Sequence, residues 1–157
     1  MLAIGFDTHD HDRCIAHCVA KVDACCKSSG LRLTPVRRRV LELLLDRHRA
    51  LGAYEILDTL RDEGLGSQPP VVYRALDFLI EHGFAHKIEQ LNAYVACGQP
   101  GEHHIPAFLI CRACSAVVET EPSREPLRRN ARDAGFRIEK TVVEAEGICR
   151  TCQDLAE

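Results

Sequence analysis

The sequence predicts an α+β fold class, in which an N-terminal winged helix-turn-helix unit precedes a small α/β unit stapled by a four-cysteine zinc site. Three features of the 157-residue chain predict this arrangement. Apolar residues recur at helical spacing through the first half, and short β-compatible segments follow them. A stretch that contains Gly and Pro, residues 98–106, then separates two groups of elements. Two Cys-x-x-Cys pairs lie beyond that stretch.

The first group opens with four predicted helices. Their apolar spacing places them at residues 11–28, 35–48, 53–63 and 71–82. Proline at a first helical position and glycine after a last one support these bounds, as at Pro35 and Gly83.

A β-hairpin is predicted next, from segments 84–90 and 93–97 with Leu91-Asn92 as its turn. Helices followed by a hairpin in this order are typical of a winged helix-turn-helix. A turn that is symmetric about Leu91-Asn92 places His86 opposite Cys97 on one face. These two side chains can then bind one metal ion, whereas a register shift of one residue would separate them.

The second group consists of predicted strands at 107–111 and 116–120, a helix at 123–134 and a strand at 136–147. The two cysteine pairs are Cys111/Cys114 and Cys149/Cys152, each directly after an isoleucine. Four thiolates with this spacing form a closed tetrahedral zinc site. Two disulfides, or unrelated core cysteines, are the alternative interpretation.

A second set of candidate ligands surrounds the hairpin. His103, His104 and Glu119 lie close in sequence to the predicted pair of His86 and Cys97. Nitrogen, sulfur and oxygen donors in this combination suit zinc. The alternative is that His86 is a surface residue of the wing and Cys97 a small core residue.

The charge distribution indicates a local basic surface. The formal net charge is −3, but residues 27–49 contain seven Lys or Arg against two acidic residues. Such a segment, with Arg37 and Arg38 in its helix, suits contact with phosphates. Tyr73 and Arg74 lie on the polar face of the fourth helix, in the turns where a recognition helix meets base edges. An ordinary solvated helix face is the alternative in both places.

No sequence feature indicates export or membrane insertion. The first residues lack the basic region and long apolar stretch of a signal peptide, and no apolar run reaches membrane-spanning length. We therefore expect a cytoplasmic protein without a membrane partner. Nine cysteines in a reducing compartment favour thiolate ligands over disulfides.

Five segments together resemble the ferric uptake regulator (Fur) superfamily, and most closely its zinc-sensing branch, the zinc uptake regulators (Zur). They are LTPVRRRVLELLL (33–45), AYEILDTLR (53–61), PPVVYRALDFLIEHGFAHKIE (69–89), HHIPAFLICRAC (103–114) and ICRTC (148–152). The resemblance implies a homodimer with a winged-helix DNA-binding domain at 1–97, in which 1–30 form an N-terminal helix or extension. It also implies a hinge at 98–106 and a dimerisation and metal-binding domain at 107–157.

The same resemblance implies two zinc ions per subunit and a function. One ion is structural, on Cys111, Cys114, Cys149 and Cys152, and one is regulatory, on His86, Cys97, His104 and Glu119. Tyr73 and Arg74 match the base-contacting pair of the family. The implied protein is a zinc-responsive transcriptional repressor whose zinc-loaded dimer binds palindromic double-stranded operator DNA at zinc-uptake genes, without a small organic substrate.

Some features depart from the family pattern or lie outside it. Residues 102–105 lack the Asp and the last His of the His-His-Asp-His cluster of iron- and peroxide-sensing members, so such a sensor is the less favoured alternative. Alignment alone selects His104 over His103 as a ligand. Cys14, His17 and Cys18 form a candidate further metal site on the first helix.

An enzyme and a zinc-stapled interaction module without a DNA role are the remaining alternatives. A catalytic zinc keeps an open position for water, whereas the expected mixed site has four protein ligands. The Cys-x-x-Cys pairs also lack the sequence context of a dithiol oxidoreductase. We therefore expect no enzymatic activity.

Overall fold

The computed structural model describes residues 11–46, 49–66, 68–102 and 104–156. In these ranges the elements are α1 (His11–Ser28), α2 (Pro35–Asp46), α3 (Ala53–Asp62), α4 (Pro69–Glu81), β1 (Ala85–Ile88), β2 (Ala93–Ala96), β3 (Ala107–Cys111), β4 (Val117–Thr120), α5 (Glu125–Asp133), β5 (Val143–Gly147) and α6 (Arg150–Asp154). Helices followed by a hairpin and a small mixed sheet confirm the predicted α+β class. None of the helices in these ranges is both long and apolar enough to cross a membrane.

The four N-terminal helices pack their apolar faces into one core. Val22, Val40, Leu60 and Leu76 are almost completely buried there, one from each helix. Burying side chains of this size stabilises the fold by roughly 1.5–3 kcal/mol each. Gly83 follows α4 with φ of 73°, a backbone conformation that favours glycine, and the chain turns there into the hairpin.

The hairpin register differs from the predicted one by two residues. His86 pairs with Val95 rather than with Cys97, and the turn contains four residues, 89–92, rather than two. The Asn92 amide donates to the Glu89 carbonyl at 3.2 Å, and Asn92 adopts φ of 46°, so the chain reverses before Gln90 can pair. Because an even shift keeps every side chain on its face, His86 and Cys97 remain diagonal neighbours on one side of the hairpin.

The C-terminal sheet has the order β4-β3-β5, with β4 antiparallel and β5 parallel to β3. The predicted strand 136–147 is too long, since only Val143–Gly147 is β5. Ala107, the first residue of β3, pairs with Val143, so the residues before 143 extend past the start of β3. The short helix α6 was not predicted; it carries Cys152 and begins directly after Cys149.

The wing, which we define as β1, β2 and the turn 89–92, packs directly on the C-terminal sheet. Ile88 and Ala93 of the wing share a second apolar core with Phe108 and Ile110 of β3. The linker between α2 and α3 adds backbone bridges to both sides, from Leu51 to the wing and from Arg49 to the segment before β4. This core contains residues from both sides of the predicted domain limits at 97/98 and 106/107. The limits therefore remain predictions.

Candidate metal centres and nucleic-acid face

The mixed cluster, defined as His86, Cys97, His104 and Glu119, draws its members from three parts of the fold. His86 is on β1 of the wing, and Cys97 directly follows β2, the last strand of the wing. His104 lies in the linker before β3, and Glu119 is on β4 of the sheet. One donor atom from each of the four lies within 4.8 Å of the others.

Glu119 is the central residue of the mixed cluster. Its Oε1 lies 2.6 Å from Nε2 of His104 and 3.5 Å from Nε2 of His86. Its Oε2 accepts the Gly98 amide at 2.7 Å, which ties β4 to the linker. Burial opposes the charged form of Glu119, but His86 and the Gly98 amide outweigh it and lower the pKa of the carboxyl.

The thiol and the imidazoles are arranged with their metal-binding atoms directed inward. Cys97 Sγ lies 3.5 Å from His104 Nε2, and burial together with Glu119 raises the pKa of this thiol to about 12. The His104 Nδ1–H donates to the Glu102 carbonyl at 2.9 Å, which leaves Nε2 as the nitrogen that faces the cluster. His86 Nε2 is buried and forms no hydrogen bond within the described residues.

These observations fit a zinc ion. A buried nitrogen without a hydrogen bond is costly unless another partner, such as a metal, satisfies it. Two imidazoles, one thiol and one carboxylate make up the donor set, and each of these groups is a common zinc ligand in proteins. Tetrahedral Zn–N, Zn–O and Zn–S bonds place donors roughly 3–4 Å apart, close to the distances found here.

The thiol cluster, defined as Cys111, Cys114, Cys149 and Cys152, lies at the other end of the sheet. Its sulfurs also lie within 4.8 Å of one another. β3 and β5 are parallel neighbours, so their ends at Cys111 and Gly147 bring the two cysteine pairs together. The Cys114 and Cys149 sulfurs are 3.8 Å apart, and Zn–S bonds of about 2.3 Å require a separation of about 3.8 Å in a tetrahedron.

Backbone amides favour the thiolate form in this cluster. The Cys149 amide donates to Cys111 Sγ at 3.3 Å, and this bond together with the Cys114 amide lowers the pKa of Cys111 to about 6. The hydrogen bond with Cys149 and burial raise the pKa of Cys152 to about 12. The Cys111 thiol therefore loses its proton readily, whereas the Cys152 thiol needs a bound cation to do so.

The exposed face of α4 carries the two residues predicted to contact bases. Tyr73 and Arg74 are both exposed, while Val72, Ala75 and Leu76 on the opposite face are buried. Tyr73 also lines a cavity of about 230 Å³, together with Tyr54, Asn92 and Tyr94. This cavity lies between α4, α3 and the wing.

Arg37 and Arg38 contact other parts of the helical unit. The Arg37 guanidinium lies 3.7 Å from the centre of the Phe78 ring and donates to the Arg32 carbonyl. Arg38 forms an ion pair with Asp23 of α1 at 3.3 Å. These contacts pack the two arginines against the helices, and their role in DNA contact remains a prediction.

The candidate site on α1 is not assembled in the described part of the chain. Two groups of three or more metal-binding side chains occur there, and neither contains Cys14, His17 or Cys18. Cys14 and Cys18 lie one turn apart on α1, but His17 and Cys18 are adjacent, and adjacent helical side chains diverge by about 100°. His103 lies outside the described residues.

Sequence reasoning missed the groups that support the mixed cluster. The Glu102 carbonyl and the Gly98 amide act through the backbone, so no side-chain pattern could indicate them. Phe108 packs its ring 5.6 Å from the His86 ring, and its position at the start of an apolar strand gave no sign of this contact.

Comparison with known proteins finds zinc uptake regulators both among similar sequences and among similar structures. The chain is 40% identical over 142 residues to the zinc uptake regulation protein of Escherichia coli (strain K12), across 87% of this chain and 82% of that protein. It is similar to a solved zinc uptake regulator complexed with zinc and DNA, at 38% identity and a TM-score of 0.84, over 90% of this chain and 97% of that one. Its similarity to apo XcZur, at 42% identity over 88% and 97% of the two chains, has a TM-score of 0.51.

The family assignment rests on coverage as well as identity. The ferric uptake regulator family model matches residues 28–146, which include α2 to α5, all but the last residue of β5 and all members of the mixed cluster. By this match and by its identity to the E. coli relative, the chain belongs to the ferric uptake regulator family.

Proposed function

We propose that this chain is a zinc-responsive transcriptional regulator, whose zinc-loaded homodimer binds palindromic operator DNA and represses zinc-uptake genes. The observation that carries the proposal is the mixed cluster, with a buried thiol at Cys97 among its donors. A thiol favours zinc over the oxygen-preferring metals, and a relative named for zinc uptake regulation is 40% identical over 142 residues.

The geometry suggests how metal binding affects the DNA-reading unit. His86 lies in the wing and Cys97 directly after it, while His104 belongs to the linker and Glu119 to the sheet. Binding one ion through all four would therefore hold the wing, and α4 beside it, at one orientation to the C-terminal unit. Such a cation would also replace the Cys97 proton and partner the buried His86 nitrogen. A ligand that prefers one orientation shifts the population toward it.

The thiol cluster suits a permanent structural zinc ion. It lies within the C-terminal unit and joins the end of β3 to α6. A closed site of four thiolates contributes its binding free energy to folding. We assign one structural and one regulatory zinc ion to each subunit.

The proposed partners are double-stranded operator DNA and a second copy of this chain. Tyr73 and Arg74 would reach the base edges from α4, as a recognition helix does. The mixed cluster has four protein donors and no open position for a reacting water, so we propose a regulator and not an enzyme. A cytoplasmic location, where DNA and reduced thiols coexist, is part of the same proposal.

A zinc titration of DNA binding tests the proposal. A duplex selected from a random-sequence library with zinc-loaded wild-type protein serves as the probe. Cys97→Ser and His104→Ala each remove one donor, and we expect the zinc concentration needed for half-maximal binding to rise at least about 100-fold. Cys26→Ser is the matched control, because Cys26 is a buried thiol of the helical core outside both clusters.

The same titration with Fe(II) and Mn(II) separates zinc from iron or peroxide sensing. Zinc should support binding at a lower free concentration than either ion does. An unchanged zinc response in Cys97→Ser, or stronger activation by iron, would refute zinc as the regulatory metal.

A further inference from the structure

Glu144 of β5 holds the beginning of the wing turn. Its Oε1 accepts the Glu89 amide at 2.6 Å, and its Oε2 accepts the Gln90 amide at 3.1 Å. The two carboxylate oxygens therefore accept hydrogen bonds from two successive amides, which lie more than 50 residues away along the chain. Hydrogen bonds to an ionised carboxylate are among the stronger ones in proteins.

A second contact from the same segment reinforces this connection. Lys140 Nζ lies 3.0 Å from Glu89 Oε1, and this contact lowers the pKa of the Glu89 carboxyl. Glu144 and Lys140 thus both contact Glu89, one through its backbone and one through its side chain. The pair forms a polar clamp at the outer end of the wing, where the shared apolar core ends at Ile88.

The clamp joins the same two units as the mixed cluster but uses different residues. The mixed cluster connects β1 and the end of β2 to β4, whereas Glu144 connects the tip of the wing to β5. β5 runs parallel to β3 and leads within two residues to Cys149 of the thiol cluster. Attachment at two separated points restricts rotation of the wing about either one of them.

We propose that Glu144 is a positioning residue for DNA reading, which fixes the tip of the wing to the C-terminal sheet at a point distinct from the metal cluster. This inference rests on the proposed function, since it assigns the clamp to DNA recognition. The arrangement that contains the clamp is similar to that of the relative complexed with zinc and DNA. Glu144 therefore stabilises the DNA-competent orientation, and metal binding completes it.

Two variants of Glu144 and one control on the same strand test the proposal in the zinc-loaded full-length protein. Glu144→Ala removes both acceptors, whereas Glu144→Gln keeps one carbonyl oxygen. Glu146→Ala is the control, because Glu146 is an exposed acid of β5 that pairs with Ile110 and not with the wing. Amide hydrogen exchange at Glu89 and Gln90, zinc content, and affinity for the selected duplex are measured for each.

We expect Glu144→Ala to accelerate exchange at both amides and to weaken DNA binding about tenfold, with two zinc ions still bound. Glu144→Gln should give a smaller effect, and Glu146→Ala none. Unchanged exchange in Glu144→Ala would overturn the clamp, and faster exchange with unchanged DNA affinity would overturn its positioning role. If the wild type bound no duplex in response to zinc, the proposed function would fail and the positioning role with it, while the exchange data would still test the clamp.

Discussion

Cys97 is the residue that most restricts the metal chemistry of this fold. Its thiol is buried, and burial and the Glu119 carboxylate both oppose its ionisation. Removing the proton becomes favourable when a cation that binds sulfur well takes its place. The Gln99 amide, which donates to Cys97 Sγ at 3.3 Å, supports the charged form weakly. A single side chain thus distinguishes zinc from metals that prefer oxygen and nitrogen.

Glu63 contributes a pH-dependent link between α2 and the end of α3. Its carboxylate accepts two hydrogen bonds from Arg39, at 2.8 Å and 2.7 Å, and Arg39 lowers the pKa of Glu63 below its usual value of 4.5. A group with a depressed pKa in the folded state stabilises the protein above its unfolded pKa. That stabilisation is lost as the pH falls through the folded pKa.

We therefore expect Glu63→Gln to lower the free energy of unfolding at neutral pH, and the difference from wild type to shrink as the pH falls below about 4.5. Urea unfolding at several pH values measures this difference. Asp62→Asn is the control, since Asp62 is a neighbouring exposed acid without an ion pair in the described residues. A difference that stays constant with pH would contradict the role of the Arg39–Glu63 pair.

At the level of single elements, α4 carries the predicted recognition of DNA. Its buried face fixes the helix in the core, so its exposed face has a defined orientation. Arg74 lies on that exposed face and forms no ion pair within the described residues. Its guanidinium is therefore available for bidentate contact with a base edge.

For Arg74→Ala we predict a loss of about 1–3 kcal/mol in binding to the selected duplex and reduced preference over random DNA, with zinc content unchanged. Competition gel-shift assays measure both effects. Arg128→Ala on α5 is the control for a removed positive charge, because α5 belongs to the C-terminal unit. Equal losses on selected and random duplexes would instead identify Arg74 as a phosphate contact.

The strands show which parts of the fold the sequence predicts and which it does not. The helices were predicted well because the local spacing of apolar residues determines them. The two Cys-x-x-Cys motifs likewise indicated the thiol cluster directly. The hairpin register was wrong by two residues: Asn92 closes a four-residue turn by donating to Glu89, and Glu144, which is far away in sequence, accepts the amides where that turn begins. His86 and Cys97 still lie close together, since an even shift leaves them on one face, and their role as metal ligands stays a prediction.

At the level of the whole chain, exposed apolar side chains gather in the C-terminal unit. Leu109 on β3 is 41% exposed, and Phe136 after α5 is 67% exposed. The described part of α5 contains no buried residue, although the helix is strongly amphipathic. We therefore expect a second copy of the chain to cover these side chains and to supply the two-fold symmetry that a palindromic site requires.

Leu109→Glu should therefore convert the zinc-loaded dimer into a monomer, because a carboxylate at the centre of β3 would be buried without a partner in the interface. Light scattering after size-exclusion chromatography measures the mass, and far-UV circular dichroism with zinc analysis shows whether the subunit remains folded. Leu155→Glu is the control, since Leu155 is 82% exposed at the end of α6, outside the sheet.

The monomer should bind a half-site duplex weakly and gain nothing from a second half-site, because two linked reading heads bind more tightly than one. Wild type and Leu155→Glu should both bind the full palindrome far more tightly than the half-site. A dimeric Leu109→Glu protein with unchanged preference for the palindrome would exclude this face of the sheet as the dimer interface. A partner other than a second copy of the chain would then have to cover Leu109 and Phe136.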